Sequence, residues 1–216
     1  MTATPPRAWP ARAALALCLL LVALPALAQP PVQLIRDSVN QLMSRIEGRE
    51  AYFSEHPDEL ETIVDDSLAE VADFRYIGAS VMGRYFRHAT PEQRSRFVET
   101  FRQTLIDTYA KGLVTFDYRE LRVLDDQQAS RFEDQASVAM EVVATDGSVY
   151  PVSYTLREDD GRWRVVNVIV NGINLGLTFR NQFDQAMRDA NRDFDAVIDG
   201  WAPELAVEEL EQGGEG

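Results

Sequence analysis

Cysteine is almost missing from the 216-residue chain: there is one, Cys18, and it lies in a segment that reads as a leader. Arg7 and Arg12 form a positive n-region. An apolar run from Ala13 to Leu24 follows, then Pro25 and the small-residue signal Ala26-Leu27-Ala28 before Gln29. This pattern predicts a secretory signal peptide over residues 1–28, cleaved after Ala28. The run is short for a bilayer span. Leu17 stands before Cys18 where a lipoprotein signal needs a small residue, so lipidation at that cysteine is excluded. The mature chain then has no thiolate nucleophile, no disulfide and no cysteine metal ligand. It is exported without covalent staples, so ordinary packing must hold it.

Positive charge is also scarce. The chain has 21 Lys and Arg against 35 Asp and Glu, a net charge of −14, and losing Arg7 and Arg12 with the leader takes it to −16. That excludes nucleic acid as a partner, since such binding rests on cationic neutralisation of phosphates. It also disfavours resting on an anionic membrane surface. No second hydrophobic run is long enough to cross a bilayer. The two histidines, His56 and His88, lack a second ligand at metal-binding spacing, so no metal site is expected. Asp65-Asp66 and Asp125-Asp126 lack the glycine and spaced oxygens of a calcium loop. There is no G-x-S-x-G, phosphate loop or dinucleotide fingerprint. No catalytic residue and no cofactor are expected.

The first part of the mature chain carries helical periods. Ile35, Val39, Leu42 and Ile46 form one stripe between Pro31 and Ile46, with Gly48 as its stop. A second helix starts near Pro57, with Leu60, Ile63, Val64, Leu68 and Val71 inward and Asp58, Glu59 and Glu61 in its first turn. A third spans Asp73 to Arg87, with Phe74, Ile77, Val81, Met82 and Tyr85 inward. Thr90-Pro91-Glu92-Gln93 is a capping box with proline at the first helical position. The helix it opens should run to about Phe116 with Phe97, Phe101, Leu105, Tyr109 and Leu113 in one stripe.

From Tyr118 the period becomes that of strands. Leu121, Val123 and Leu124 form the first. In the second, Ser137 to Ala144, Val138, Met140 and Val142 alternate with Ser137, Ala139 and Glu141. Asp146-Gly147 signals a hairpin. The third, Val149 to Arg157, puts Tyr150, Val152, Tyr154 and Leu156 on one face. Asp159-Asp160-Gly161 is a second hairpin turn into the stretch Arg162 to Phe183. That stretch starts as a strand apolar on both faces, which predicts a central position in the sheet. Gly172 ends it, and Leu175, Phe179, Phe183 and Met187 then recur every four residues. The closing helix continues through Ala190, Phe194, Val197, Ile198 and Trp201, with a break near Asn191, and Pro203 stops it. Residues 203–216 read as an acidic, flexible tail. Helices first, then a four-stranded antiparallel meander, then a helix: the order predicts an α+β fold with helices on a curled sheet.

Apolar surface exceeds what a simple two-layer core needs, which suits a cavity between sheet and helices. Its expected lining, taken from periodicity, is Ile77, Val81, Tyr85, Phe97, Phe101, Leu105 and Tyr109 from the helices. Met140, Val142, Val152, Tyr154, Val166, Val168 and Val170 come from the strands, and Leu175 and Phe179 from the last helix. Arg84, Arg87, Arg94, Arg96 and Arg102 cluster with His88 against the acidic background. They are either paired within helices or a docking patch for an acidic partner or lipid headgroup, centred on Arg84, Arg87 and Arg94.

Several pieces together resemble the MlaC family, the toluene-tolerance auxiliary component. They are Gly83-Arg84-Tyr85 with Thr90-Pro91-Glu92-Gln93, the Phe97–Phe101 and Leu105–Ala110 segments, and the block Trp163-Arg164-Val165, Val168, Gly172-Ile173 and Arg180-Asn181-Gln182-Phe183. Where the family usually has aspartate, glutamate and serine, this chain has Asn167, Asn171 and Asn174. The resemblance implies a nuclear-transport-factor-2-like sheet with acyl chains held in the cavity. It implies a periplasmic phospholipid carrier whose lipid-binding domain spans residues 29–202, with phospholipid as cargo. Its implied partners are an inner-membrane ABC transporter complex and an outer-membrane lipoprotein–porin complex, and its implied role is outer-membrane asymmetry. The competing expectations are a small enzyme of related fold acting on an apolar substrate, and a periplasmic protein-binding module.

Overall fold

A computed structural model describes residues 29–110, 112–125 and 132–203. The expected leader and nearly all of the expected tail lie outside the described residues. Helix α1, Pro31–Ile46, has proline at its start and buries Val32, Ile35 and Ile46. Gly48, at φ 73°, turns the chain into a short helix that its sequence did not announce. This is α2, Glu50–Glu55, six residues that bury Phe53. Helix α3, Pro57–Val71, follows as expected, with Asp58 and Glu59 in its first turn favouring the positive end of its dipole.

The third expected helix is shorter than predicted. α4 runs Phe74–Met82, with the Asp73 side chain accepting from the Tyr76 amide. Gly83 takes φ 53°, left-handed geometry that glycine tolerates, and a 3₁₀ turn at Gly83–Tyr85 replaces the last α-turn. Thr90 and Gln93 form the capping box of α5, Pro91–Tyr109. The helix expected to reach Phe116 stops there; a separate turn, α6 at Gly112–Thr115, completes the segment.

The sheet is antiparallel, in the order β1 (Tyr118–Val123), β2 (Gln135–Ala144), β3 (Val149–Asp159), β4 (Arg162–Val170), β5 (Ile173–Asn174). It has five strands, not four: β5 is two residues long, too short to leave a period, and pairs only with Ile169 and Val170. The stretch expected to lie centrally is therefore next to the edge, and β3 holds the centre. Beyond its pairing with β3, the first part of β4 is met by the α3–α4 junction, where the Asp73 amide donates to the Val165 carbonyl at 2.9 Å. Asp160 and Gly161 both have positive φ at the β3–β4 turn, as a tight hairpin with right-handed twist requires. Register shifts on β1 and between β3 and β4 mark bulges, which increase twist.

After β5, α7 runs Leu175–Asp189 and α8 Phe194–Asp199. Asn191 and Arg192, both at positive φ, make the break expected near Asn191. Three cores result. One has no strand residue and comes from α4, the 3₁₀ turn, α5, α7, α8 and the residues that flank them, around Phe97, Phe101, Phe183 and Trp201. A second joins α1, α2, α3 and α5 through Ile46, Phe53, Leu60 and Ile106. A third seats α1 and α3 on the sheet through Ile35, Val71, Val138, Leu156 and Val165.

Candidate functional site

Helix α1 belongs to two of these cores. Its Ile35 end packs on the sheet and its Ile46 end packs on α2 and α3. Between the two, Val39, Leu42 and Met43 face a pocket of about 390 Å³. Its second wall is the sheet. Strand alternation turns Leu121, Met140, Val142, Tyr150, Val152, Tyr154 and Val170 to the same side, and the register aligns Met140 with Val152 and Val142 with Tyr150. Gly112, Leu113 and Phe116 at α6, with Tyr118, close the remaining side. Phe116 and Tyr150 meet edge to face at 5.6 Å between ring centroids, a favourable aromatic geometry.

The lining is almost wholly apolar, and it holds no carboxylate, imidazole or basic side chain. Its ionisable groups are three tyrosines. Burial pushes the Tyr154 phenol up to about 12, because an ionised phenolate would lose its hydration there. Its hydroxyl donates to Met140 Sδ at 3.9 Å. Tyr118 is also raised, first by burial and then by Glu47 and Glu50. The volume lies in the range of ligand pockets, about 300–1,000 Å³. With about 30 Å³ for a water-sized group, it holds about 13 methylene-sized units, most of one acyl chain.

Of the residues expected to line a cavity, Met140, Val142, Val152, Tyr154 and Val170 face this pocket. Val81, Tyr85, Phe97, Phe101 and Phe179 are buried in the helical core, with Ile77, Leu105 and Leu175 packed against it. Val168 packs on the α1–α3–sheet core, and Val166 falls at the β3–β4 register shift. The Tyr109 side chain is outside the described set. Sequence reasoning missed the α1 residues, Leu113 and Phe116, because periodicity shows which helix face is inward but not whether protein or empty space lies opposite. Tyr150 and Leu121 were recoverable: Tyr150 shares the alternation of Val152 and Tyr154, and Leu121 pairs with Val142.

The arginine cluster is mostly cross-linked between elements rather than within helices. Arg84 bonds Asp184 of α7 at 2.5 Å and the Tyr85 hydroxyl at 3.1 Å. Arg96 ties α5 to Asp195 and Asp199 of α8, and Arg102 reaches Asp65 of α3 at 2.6 Å. Arg94 Nε donates to the Phe86 carbonyl at 2.8 Å. Arg87 and His88 are exposed. Two sequence motifs a hundred residues apart meet here, since Gly83-Arg84-Tyr85 and Arg180-Asn181 line one polar niche. A Cβ at Gly83 would lie 2.8 Å from Arg180 Nε, so a side chain there would force Arg180 to shift.

The three asparagines build the corner from β4 to α7. Asn167 Oδ1 accepts from the Gly176 amide at 3.1 Å. Asn171 is buried, holds φ 47° and donates its amide to the Pro151 carbonyl at 2.7 Å. Asn174 caps α7 by accepting from the Leu177 amide at 3.0 Å. Among the described residues no helix is long and apolar enough to cross a membrane, and no group of three or more His, Cys, Asp or Glu is placed to hold a metal ion.

An antiparallel sheet packed against helices, with an apolar pocket lined by no carboxylate, imidazole or basic side chain, defines an α+β protein. The family model described as MlaC protein matches residues 36–203. The chain belongs to the MlaC family. It is 38% identical over 194 residues to the toluene tolerance protein Ttg2D of Pseudomonas putida, covering 88% of this chain and 89% of that protein. It is 22% identical over 149 residues to the intermembrane phospholipid transport system binding protein MlaC of Haemophilus influenzae, covering 67% and 69%. The fold is shared with the phospholipid-binding protein from Ralstonia solanacearum, whose structure is in complex with a phospholipid. The TM-score is 0.70 at 21% identity, covering 86% of this chain and 97% of that one.

Proposed function

We propose that this protein is a periplasmic phospholipid carrier, exported by its leader, that takes lipid between an inner-membrane ABC transporter complex and an outer-membrane lipoprotein–porin complex. In this role it maintains outer-membrane lipid asymmetry. The observation that carries the reading is the apolar pocket of about 390 Å³ between α1, α6 and the sheet. In this reading acyl chains lie between sheet and helices in a nuclear-transport-factor-2-like arrangement, and phospholipid is cargo rather than cofactor. A methylene gains roughly 0.8 kcal/mol on leaving water. About 13 such units give on the order of 10 kcal/mol gross. A chain held this strongly does not cross water unassisted, yet a membrane offers the same gain, so transfer to a partner complex is close to balanced. A carrier of this kind needs no general acid or base. The pocket takes most of one chain; a second chain requires α1 or α6 to move from the sheet.

Native mass spectrometry of the protein purified from periplasm, with lipid identification after denaturation, tests the proposal. A stoichiometric phospholipid adduct is expected. A clean apo mass that persists after incubation with phospholipid vesicles and the partner complexes would overturn it.

A further inference from the structure

A second, larger depression opens at the other end of the strands. It has a volume of about 680 Å³, lies where the α3–α4 junction and α5 meet the ends of β3 and β4, and shares no lining residue with the apolar pocket. The buried layer of Val138 and Leu156 stands between the two. Five arginines line it, Arg75, Arg102, Arg157, Arg162 and Arg164, against three carboxylates, Asp73, Glu99 and Asp159. The groove therefore carries a local positive excess on a chain of net charge −14.

These cations are incompletely used. Arg75 and Arg162 are exposed and make no ion pair among the described residues. Among the described residues Arg164 reaches the Ala72 carbonyl, at 3.5 Å. Arg157 has two loose pairs, to Asp73 at 3.8 Å and Asp159 at 3.5 Å. Its Nε is buried with no hydrogen-bond partner among the described residues, and so is that of Arg102, whose Nη2 is paired with Asp65 at 2.6 Å. The guanidinium planes are positioned by aromatic rings: Arg157 lies 4.8 Å from the Tyr76 centroid and Arg102 5.8 Å from that of Phe74. The first turn of α4 adds the positive end of its dipole.

We propose that this groove receives an acidic segment of a partner protein. The volume exceeds that of a single small anion, and arginine among aromatic rings is the composition of protein-interface centres. A bilayer fits less well. A segment inserted in the groove meets the five arginines that line it, while charges beyond a Debye length, about 8 Å at physiological salt, are screened. An anionic bilayer would instead present a plane of charge to the acidic remainder of the surface.

The test is photo-crosslinking from benzoylphenylalanine at position 76 in the full chain, exported in living cells, with and without Arg75→Glu and Arg162→Glu. The expected result is a crosslink to an envelope protein, mapped to a segment rich in Asp and Glu. The double reversal should cut its yield about tenfold, and reversing the mapped carboxylates to lysine should restore it. Co-purified phospholipid should be unchanged in the double variant, which separates this site from the carrier reading. Crosslinks to lipid only, to a neutral or basic segment, or unaffected by the double reversal would overturn the proposal. So would no crosslink at all, or an equal loss of bound lipid.

Discussion

Val142 gives the most direct test of the apolar pocket. It is partly buried, faces the pocket, and pairs with Leu121 on one side and Tyr150 on the other. Replacing it with tryptophan adds about seven methylene-sized atoms, roughly half of the about 13 that the volume accepts. If acyl chain occupies that volume, the substitution removes roughly 5 kcal/mol of its gain from burial. That is more than a thousandfold in affinity. Because the added ring enters empty space, stability should change little. An overpacked site would instead lose about 1–3 kcal/mol. The assay pairs native mass spectrometry of periplasmic protein with a thermal melt of the same sample. The expected result is apo protein with a near-normal melt. Stoichiometric lipid on folded Val142→Trp protein would refute the placement of acyl chain in this pocket.

The helical core should behave in the opposite way. Phe101→Ala removes a ring that is 1% exposed, costing about 3–5 kcal/mol of stability by denaturant titration, while the folded fraction keeps its lipid; selective lipid loss would show that this core opens onto the ligand. For Tyr154, the folded-state phenol is raised from 10.0 to about 12, so between these values the native state holds a proton that the unfolded state has released. Stability should therefore be full below pH 10 and fall as pH rises towards 12, and denaturant titrations of Tyr154→Phe should lack that component of the decline. At the β4–α7 corner, Asn174→Ala should cost about 1 kcal/mol by removing the α7 cap, whereas Asn174→Ser should be nearly neutral; equal melts for both would remove the cap from the account.

Much of the fold was legible because local chemistry decided it. Proline at the first position and the stripe of Ile35 and Ile46 fix α1. Thr90 and Gln93 fix the start of α5, and the alternation of Met140, Val142, Val152 and Tyr154 fixes which strand face is inward. The errors came where a single backbone geometry overrode a continuing period. Gly83 ends α4 although Tyr85 keeps the stripe, and α5 stops before Leu113 although the apolar spacing runs on. β5 is two residues held by pairing with Ile169 and Val170, an interaction without any local signature.

By itself the sequence determined the α+β order, the inward faces, the acidic surface with scarce cations, and the absence of cysteine chemistry after residue 28. These follow from side-chain type and spacing along a chain whose local geometry has few choices. Tertiary structure alone decided which inward residues meet protein and which meet space. Phe97 and Phe101 show the same greasy periodicity as Val39 and Leu42, but the former pair is enclosed by α7 and α8 while the latter faces a pocket. It also decided that Arg75 and Arg102 share one groove with Arg157, Arg162 and Arg164. Burial and cavity volume depend on contacts between distant segments, and no pattern within one segment encodes what will stand opposite it.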